Sequence, residues 1–256
     1  MLDRRQFLIS TAAFGLALHP HFARAAAPTL GFVRGPEVDG VREEVLLLPT
    51  TSLVFGRGQG SDVLLVAKPG EAGLPRISRT HFQIELGRRA QIRDLASSNG
   101  TTLAGKRLGR RSKTLAHGVK IGVAEVLELD VEVIATADGN PLAVVLGDAS
   151  GKGPRYAMVC GKVGLAPKSR GLLCPPEAGA ATLDLREGGL VFGAREPSVE
   201  VEGTPLGKST LTLSKPTSAT LDTKVFALGL LDPADRLIKF LEPADPAHTF
   251  CGTPEY

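Results

Sequence analysis

Apolar residues along most of this chain alternate with polar ones in short runs and do not recur every three or four positions. That is the period of a strand with one face on a core. Runs of this kind occupy 44–48, 53–55, 63–66, 81–86, 90–92, 119–121 and 126–134, divided by Gly, Pro, Asn and Asp residues that punctuate turns. A second series with the same texture covers 182–185, 190–192, 199–202, 210–213 and 224–231. Short strands at regular spacing predict an all-β protein of the sandwich kind. Between the two series the chain is rich in Gly, Asp and Pro, interrupted by the apolar run Leu142–Leu146. The expected organisation is a first domain over 28–136, a linker over 137–154 and a second β-rich domain over 155–247. Leu53-Val54-Phe55-Gly56 recurs as Leu190-Val191-Phe192-Gly193, which leaves two readings of the second domain open: a copy of the first fold, or an unrelated β domain.

The first residues break this pattern. Arg4 and Arg5 precede Leu8–Leu18, an uncharged, mostly apolar stretch too short to span a bilayer, and Ala23-Arg24-Ala25 places small residues at the two positions a signal peptidase reads. This order predicts a cleavable export signal over 1–25, the other reading being a short amphipathic helix on a cytoplasmic protein. Asp3-Arg4-Arg5-Gln6-Phe7-Leu8 is similar to the twin-arginine export motif, which implies a periplasmic or secreted destination. No later apolar run approaches the ~20 residues needed to cross a membrane, so no span is expected after the signal is removed.

Charge narrows the function. The chain carries 30 Lys and Arg against 27 Asp and Glu, and loss of 1–25 leaves 27 against 26. Such a balance supplies no general field for nucleic acid, and none is expected as a partner. Three cysteines cannot build a disulfide scaffold or a four-thiolate metal site, and neither metal nor cofactor is expected. In an oxidising compartment Cys160 and Cys174 are close enough in sequence to close a short disulfide loop, leaving Cys251 free; the alternative is two small buried hydrophobes.

Three separated clusters carry the candidate chemistry: Phe55-Gly56-Arg57, Ile77-Ser78-Arg79-Thr80-His81, and Asp94-Leu95-Ala96-Ser97-Ser98-Asn99-Gly100-Thr101. A guanidinium fork with short hydroxyl and amide donors is what a phosphate dianion requires, and Arg57, Ser78, Arg79, Ser98 and Asn99 supply these at strand ends or in loops. In order and spacing the clusters resemble the forkhead-associated (FHA) domain over about ninety residues. The resemblance implies an eleven-stranded β-sandwich that binds phosphothreonine peptides through loops at one end, and thus a threonine-phosphorylated protein partner. It further implies that Arg57 and Ser78 hold the phosphate, that Arg79 and Ser98 assist, and that Asn99 grips the peptide backbone. Gly56, His81, Asp94 and Gly100 match positions that look structural.

Two look-alikes do not change this reading. The tail over 248–256 includes Thr249-Phe250-Cys251-Gly252-Thr253-Pro254-Glu255-Tyr256, similar to a kinase activation segment, and Arg93-Asp94-Leu95 with Asn99 is similar to a kinase catalytic loop. Yet Ile92 stands where the loop's His would be and no Asp-Phe-Gly occurs. Gly147–Gly153 approaches a P-loop but lacks the Ser or Thr after Lys152. The sequence therefore predicts a non-enzymatic, exported phosphothreonine-peptide-binding module. The alternatives are a phosphate-independent interaction scaffold and an enzyme with its site in the second domain.

Overall fold

The computed structural model describes residues 14–18, 30–38, 41–58, 61–67, 76–149, 155–166, 171–186 and 189–231. The rest of the expected signal, the P-loop-like residues 150–153 and the kinase-like tail lie outside the described residues. The first half runs β1 (Phe14–Leu18), β2 (Leu30–Val38), β3 (Val41–Leu48), β4 (Ser52–Gly56), β5 (Val63–Ala67), β6 (Phe82–Leu86), β7 (Ala90–Asp94), β8 (Thr101–Leu103), β9 (Lys106–Arg107), β10 (Lys113–Thr114), β11 (Lys120–Val123) and β12 (Leu127–Ala135). The second runs β13 (Pro141–Asp148), β14 (Arg155–Val159), β15 (Val163–Leu165), β16 (Leu173–Cys174), β17 (Ala181–Arg186), β18 (Gly189–Ala194), β19 (Glu200–Val201), β20 (Thr204–Pro205), β21 (Thr210–Leu213), β22 (Thr217–Leu221) and β23 (Lys224–Leu231). One 3-10 turn, Pro176–Ala178, precedes β17.

These strands form three sheets. A 6-stranded sheet has the order β1-β5-β4-β6-β7-β10, a 12-stranded sheet the order β20-β19-β22-β23-β2-β3-β14-β13-β12-β11-β8-β9, and a 5-stranded sheet the order β16-β15-β17-β18-β21. In the first sheet the alternation expected from sequence holds: Leu53 and Phe55, Phe82 and Ile84, Ala90 and Ile92 point inward, and the Phe55 and Phe82 rings stack with centroids 4.6 Å apart.

The second half repeats the first. β6 pairs β7, β7 pairs β10, β8 pairs β9 and β11, and β11 pairs β12. The strands β17 to β23 reproduce these pairings in the same order. The turns recur too. Ala104 and Gly105 between β8 and β9 have positive φ, as do Glu202 and Gly203 between β19 and β20; Ala124 and Glu125 after β11 correspond to Asp222 and Thr223 after β22. Paired positive φ values make the turn whose twist suits a two-residue hairpin. The repeated tetrapeptide does not mark this duplication. Leu53–Gly56 lies in β4, whose counterpart is β15, whereas Leu190–Gly193 lies in β18, the counterpart of β7.

The repeats exchange strands. β2 and β3 precede the first repeat and β13 and β14 the second, yet β12 pairs with β13 and β23 pairs with β2. β3 and β14 lie side by side in parallel and join the halves. Leu142–Leu146, inside the expected linker, is therefore the body of a central strand, and the Gly and Pro around it mark strand ends. Both faces of these central strands are buried. Leu46, Leu48, Val144, Leu146, Tyr156 and Met158 face the core under the first sheet; Val45, Leu47, Ala143, Val145, Ala157 and Val159 face the core under the third. Such strands read as continuous apolar runs, which is why alternation fails there.

Two other expectations meet the fold here. Cys160 and Cys174 are both thiols, not a disulfide. The Cys160 Sγ lies 3.3 Å from the carbonyls of Pro141 and Leu142 at the start of β13, while Cys174 packs over Gly164 in the third sheet. Sequence separation alone could not show that the two residues serve different sheets. Phe14–Leu18, within the expected signal, pairs antiparallel with β5, and among the described residues no strand of the second repeat corresponds to it.

Candidate functional site

Three loops meet at one end of the first repeat. Arg57, directly after β4, donates its backbone N–H to the Ser78 carbonyl (3.0 Å) and its Nε–H to the Ile77 carbonyl (2.6 Å). The second bond fixes the plane of the guanidinium, and its Nη groups have no hydrogen bond among the described residues. Gly58 N–H and the buried Ser61 hydroxyl both donate to the Arg79 carbonyl, at 2.9 and 2.7 Å. This close lacing requires glycine. A Cβ on Gly56 would sit 2.2 Å from the Arg79 carbonyl oxygen, and one on Gly58 would sit 2.7 Å from the Arg79 Cβ. Arg79 itself is exposed.

His81 holds the second loop against the third. Its imidazole is fully buried. Nδ1 accepts the Ser78 N–H at 2.9 Å, so in the neutral ring Nε2 carries the proton and donates to the Gly100 carbonyl at 3.1 Å. Burial pushes its pKa below the ordinary 6.5, against the Gly100 bond and the Asp94 charge, which pull it up. Because the unfolded chain protonates first, His81 makes the fold lose stability as pH falls below about 6.5 toward the lowered folded value. A urea midpoint that drops between pH 7 and 5.5, with a shallower drop in His81→Gln, is the expected result. Parallel pH profiles for the two proteins would exclude His81 as the source.

The third loop is braced from within. The Asp94 carboxylate accepts the Ser97 N–H (2.8 Å), the Ser97 hydroxyl (2.6 Å) and the Thr101 hydroxyl (2.7 Å), and Ser97 Oγ accepts the Gly100 N–H (3.0 Å). Burial raises the Asp94 pKa, but the bonds from Ser97 and Thr101 outweigh it and hold the group below its ordinary value. A carboxylate so occupied serves to brace the loop. Ala96 and Gly100 take positive φ in this loop; at Gly100, a Cβ would also meet the Arg107 guanidinium at 2.7 Å.

The sequence-predicted contact residues come together. Ser78 Oγ accepts the Ser98 N–H at 2.9 Å, so its own hydroxyl proton remains to be donated elsewhere. Asn99 Nδ2 donates to the Arg76 carbonyl at 2.7 Å. Ser98 and Asn99 are exposed and Arg57 and Ser78 partly so. Ser98 thus joins the second loop through its backbone N–H. Sequence reasoning missed Ser61, Ser97 and Thr101 as braces and Arg76, whose guanidinium pairs with Glu125 at 2.7 Å. Ser97 and Thr101 were visible inside the third cluster; Ser61 carried no signal of its own.

Among the described residues, the corresponding end of the second repeat lacks this apparatus. Ala180 N–H donates to the Leu165 carbonyl as His81 N–H does to Phe55, so Ala180 stands at the place of His81 and Glu177 at that of Ser78. Ala194, opposite Ala181, stands where Asp94 does opposite Phe82. The following loop, 195–198, is shorter than 95–100 and contains no Asn.

Residues 53–124 match the family described as FHA domain. Among solved structures, the FHA domain of the CT664 protein from Chlamydia trachomatis is 22% identical, over 37% of this chain and 88% of that one, with a TM-score of 0.26. The yeast Dun1 FHA domain, solved with a doubly phosphorylated peptide, is 24% identical over 40% and 72%, with a TM-score of 0.27. Mycobacterium tuberculosis EmbR, solved with a low-affinity phosphopeptide, is 25% identical over 37% of this chain and 22% of its own, with a TM-score of 0.25. No curated protein matches the chain. The three clusters laced into one loop surface all lie inside the segment, residues 53–124, that matches the FHA domain family.

Proposed function

We propose that the protein is a non-enzymatic recognition module that binds threonine-phosphorylated segments of a protein partner at the loops carrying Arg57, Ser78, Ser98 and Asn99. FHA domains are in general phosphothreonine-peptide-binding modules. The observation that carries the reading for this chain is the double bracing of Arg57, by its N–H on Ser78 and its Nε on Ile77. It holds a charged fork beside the partly exposed hydroxyl of Ser78, the donor set a phosphate dianion requires. Asn99, steadied on Arg76, is placed to bond the peptide backbone. The test is calorimetry of the whole chain with a phosphothreonine peptide and its unphosphorylated twin. Binding only of the phosphorylated form supports the proposal; equal affinity for both supports a phosphate-independent scaffold instead.

Export belongs to the same proposal. Without β1, the first sheet keeps five strands, β5-β4-β6-β7-β10, as many as β16-β15-β17-β18-β21 in the second repeat, although β5 runs parallel to β4 and β16 antiparallel to β15. Cleavage after residue 25 is thus compatible with a complete fold. Sequencing the N-terminus of the protein from cells should find a start near Ala26, and a start at Met1 would remove export from the proposal.

A further inference from the structure

A chain of nearly balanced charge conceals a strongly basic segment. From Leu95 to Ala124 there is no Asp or Glu, while Lys106, Arg107, Arg110, Arg111, Lys113 and Lys120 all fall there. Lys120 is neutralised by Glu128 and Asp130. The other five are exposed. Among the described residues none of them has a carboxylate within salt-bridge distance, whereas Arg34, Arg42, Arg76, Arg93, Arg155 and Arg186 all do.

Their position gives the segment meaning. β9 is the last strand of the long sheet and β10 the last strand of the first sheet, so residues 106–114 cross from one sheet to the other along the edge of the sandwich. One end of this stripe reaches the candidate site, since the Arg107 guanidinium lies against Gly100, next to Asn99. At the other end, Lys113 is paired with Ile92, two positions before Asp94. At about 3.3 Å of rise per residue, the whole stripe is within reach of a few residues of extended peptide leaving the phosphate site.

Cations on edge strands commonly serve only to prevent strand-to-strand association. The second repeat provides the control. Its corresponding edge, residues 203–211, has the same strands β20 and β21 but carries Lys208 as its only charged residue. The fold therefore does not require five cations at this edge; they occur only in the repeat that has the phosphate-binding loops.

Resting on the phosphopeptide reading above, we infer that the partner's phosphothreonine is flanked by an acidic stretch, which lies along Arg107, Arg110, Arg111 and Lys113. The test compares, on the full chain, phosphothreonine peptides flanked by Asp and Glu, by phosphoserine, or by Ser and Gly on either side. The acidic peptide should bind about tenfold tighter than the neutral one at low salt, with the advantage disappearing in high salt. The triple variant Arg110→Glu, Arg111→Glu, Lys113→Glu should lose that advantage while binding the neutral peptide as the wild type does. The salt dependence of the wild type alone decides the matter should the variant not fold. Equal affinity for acidic and neutral flanks overturns the inference and leaves the phosphopeptide reading intact. An advantage confined to phosphoserine flanks, or binding to phosphatidylserine vesicles without any flank preference, also overturns it. If no peptide binds more tightly with its phosphothreonine than without it, the phosphopeptide reading fails and the inference falls with it.

Discussion

A fragment ending at residue 136, though it holds every residue of the candidate site, is expected not to form a stable monomer. β12 would lose β13, its partner from Leu129 to Ala135. The core beneath Phe55 and Phe82 would lose Val144, Leu146, Tyr156 and Met158. At about 1.5–3 kcal/mol for each large apolar side chain, that loss is comparable with the ~5–15 kcal/mol that holds a typical domain together. Were β2 to move across and pair with β12, Val33, Val45, Leu47 and Ile134, now buried against the second core, would form an exposed apolar patch. The fragment 28–136 should therefore unfold without a cooperative transition or associate, while 28–231 should show one cooperative transition for both repeats. Urea denaturation followed by circular dichroism, with light scattering for size, distinguishes these outcomes. A monomeric 28–136 with a sharp transition would mean that the strand exchange is dispensable.

What the sequence revealed follows from where each signal resides. Strands with one solvent face announce themselves by alternation, so β4, β6, β7 and β12 were legible. The three loop clusters were legible because their residue types and order are constrained by hydrogen bonds within the loops, such as His81 to Ser78 and Asp94 to Ser97. The central strands β13 and β14 were not, and β3, though legible as a strand over 44–48, did not show which repeat it completes. Val45–Leu48, Ala143–Leu146 and Tyr156–Val159 are apolar on both faces, a pattern that does not say which repeat a strand completes. In sequence β13 reads as linker for the same reason: turn residues on either side of a short apolar run fit a strand end as well as a tether. Pairing of β12 with β13 instead of β2 is a choice between strands of similar texture, decided by three-dimensional closure. The stripe at 106–113 was invisible to whole-chain charge because acidic residues elsewhere cancel it.

Arg57→Ala should weaken phosphothreonine-peptide binding by about tenfold to more than a hundredfold, since a charge-assisted bond from arginine contributes on the order of 1.5–3 kcal/mol. The variant should remain folded. Arg57 braces Ile77 and Ser78, but its own N–H on the Ser78 carbonyl survives truncation of the side chain. Arg57→Lys should restore only part of the affinity: an ammonium retains the charge but cannot brace the Ile77 carbonyl with one nitrogen while presenting two others to the phosphate. Ser78→Ala should cost less than Arg57→Ala, because it removes a neutral donor together with the acceptor of the Ser98 N–H. Asn99→Ala acts differently. Its Nδ2 holds the Arg76 carbonyl and its remaining amide oxygen is available to a peptide backbone, so its loss should weaken phosphorylated and unphosphorylated peptides by the same factor. Calorimetry of the four variants with both peptides separates these contributions. Raised salt should narrow the difference between wild type and Arg57→Ala, because part of the arginine's contribution is screened. Binding that survives Arg57→Ala undiminished would remove the guanidinium from the site and with it the phosphate-specific reading.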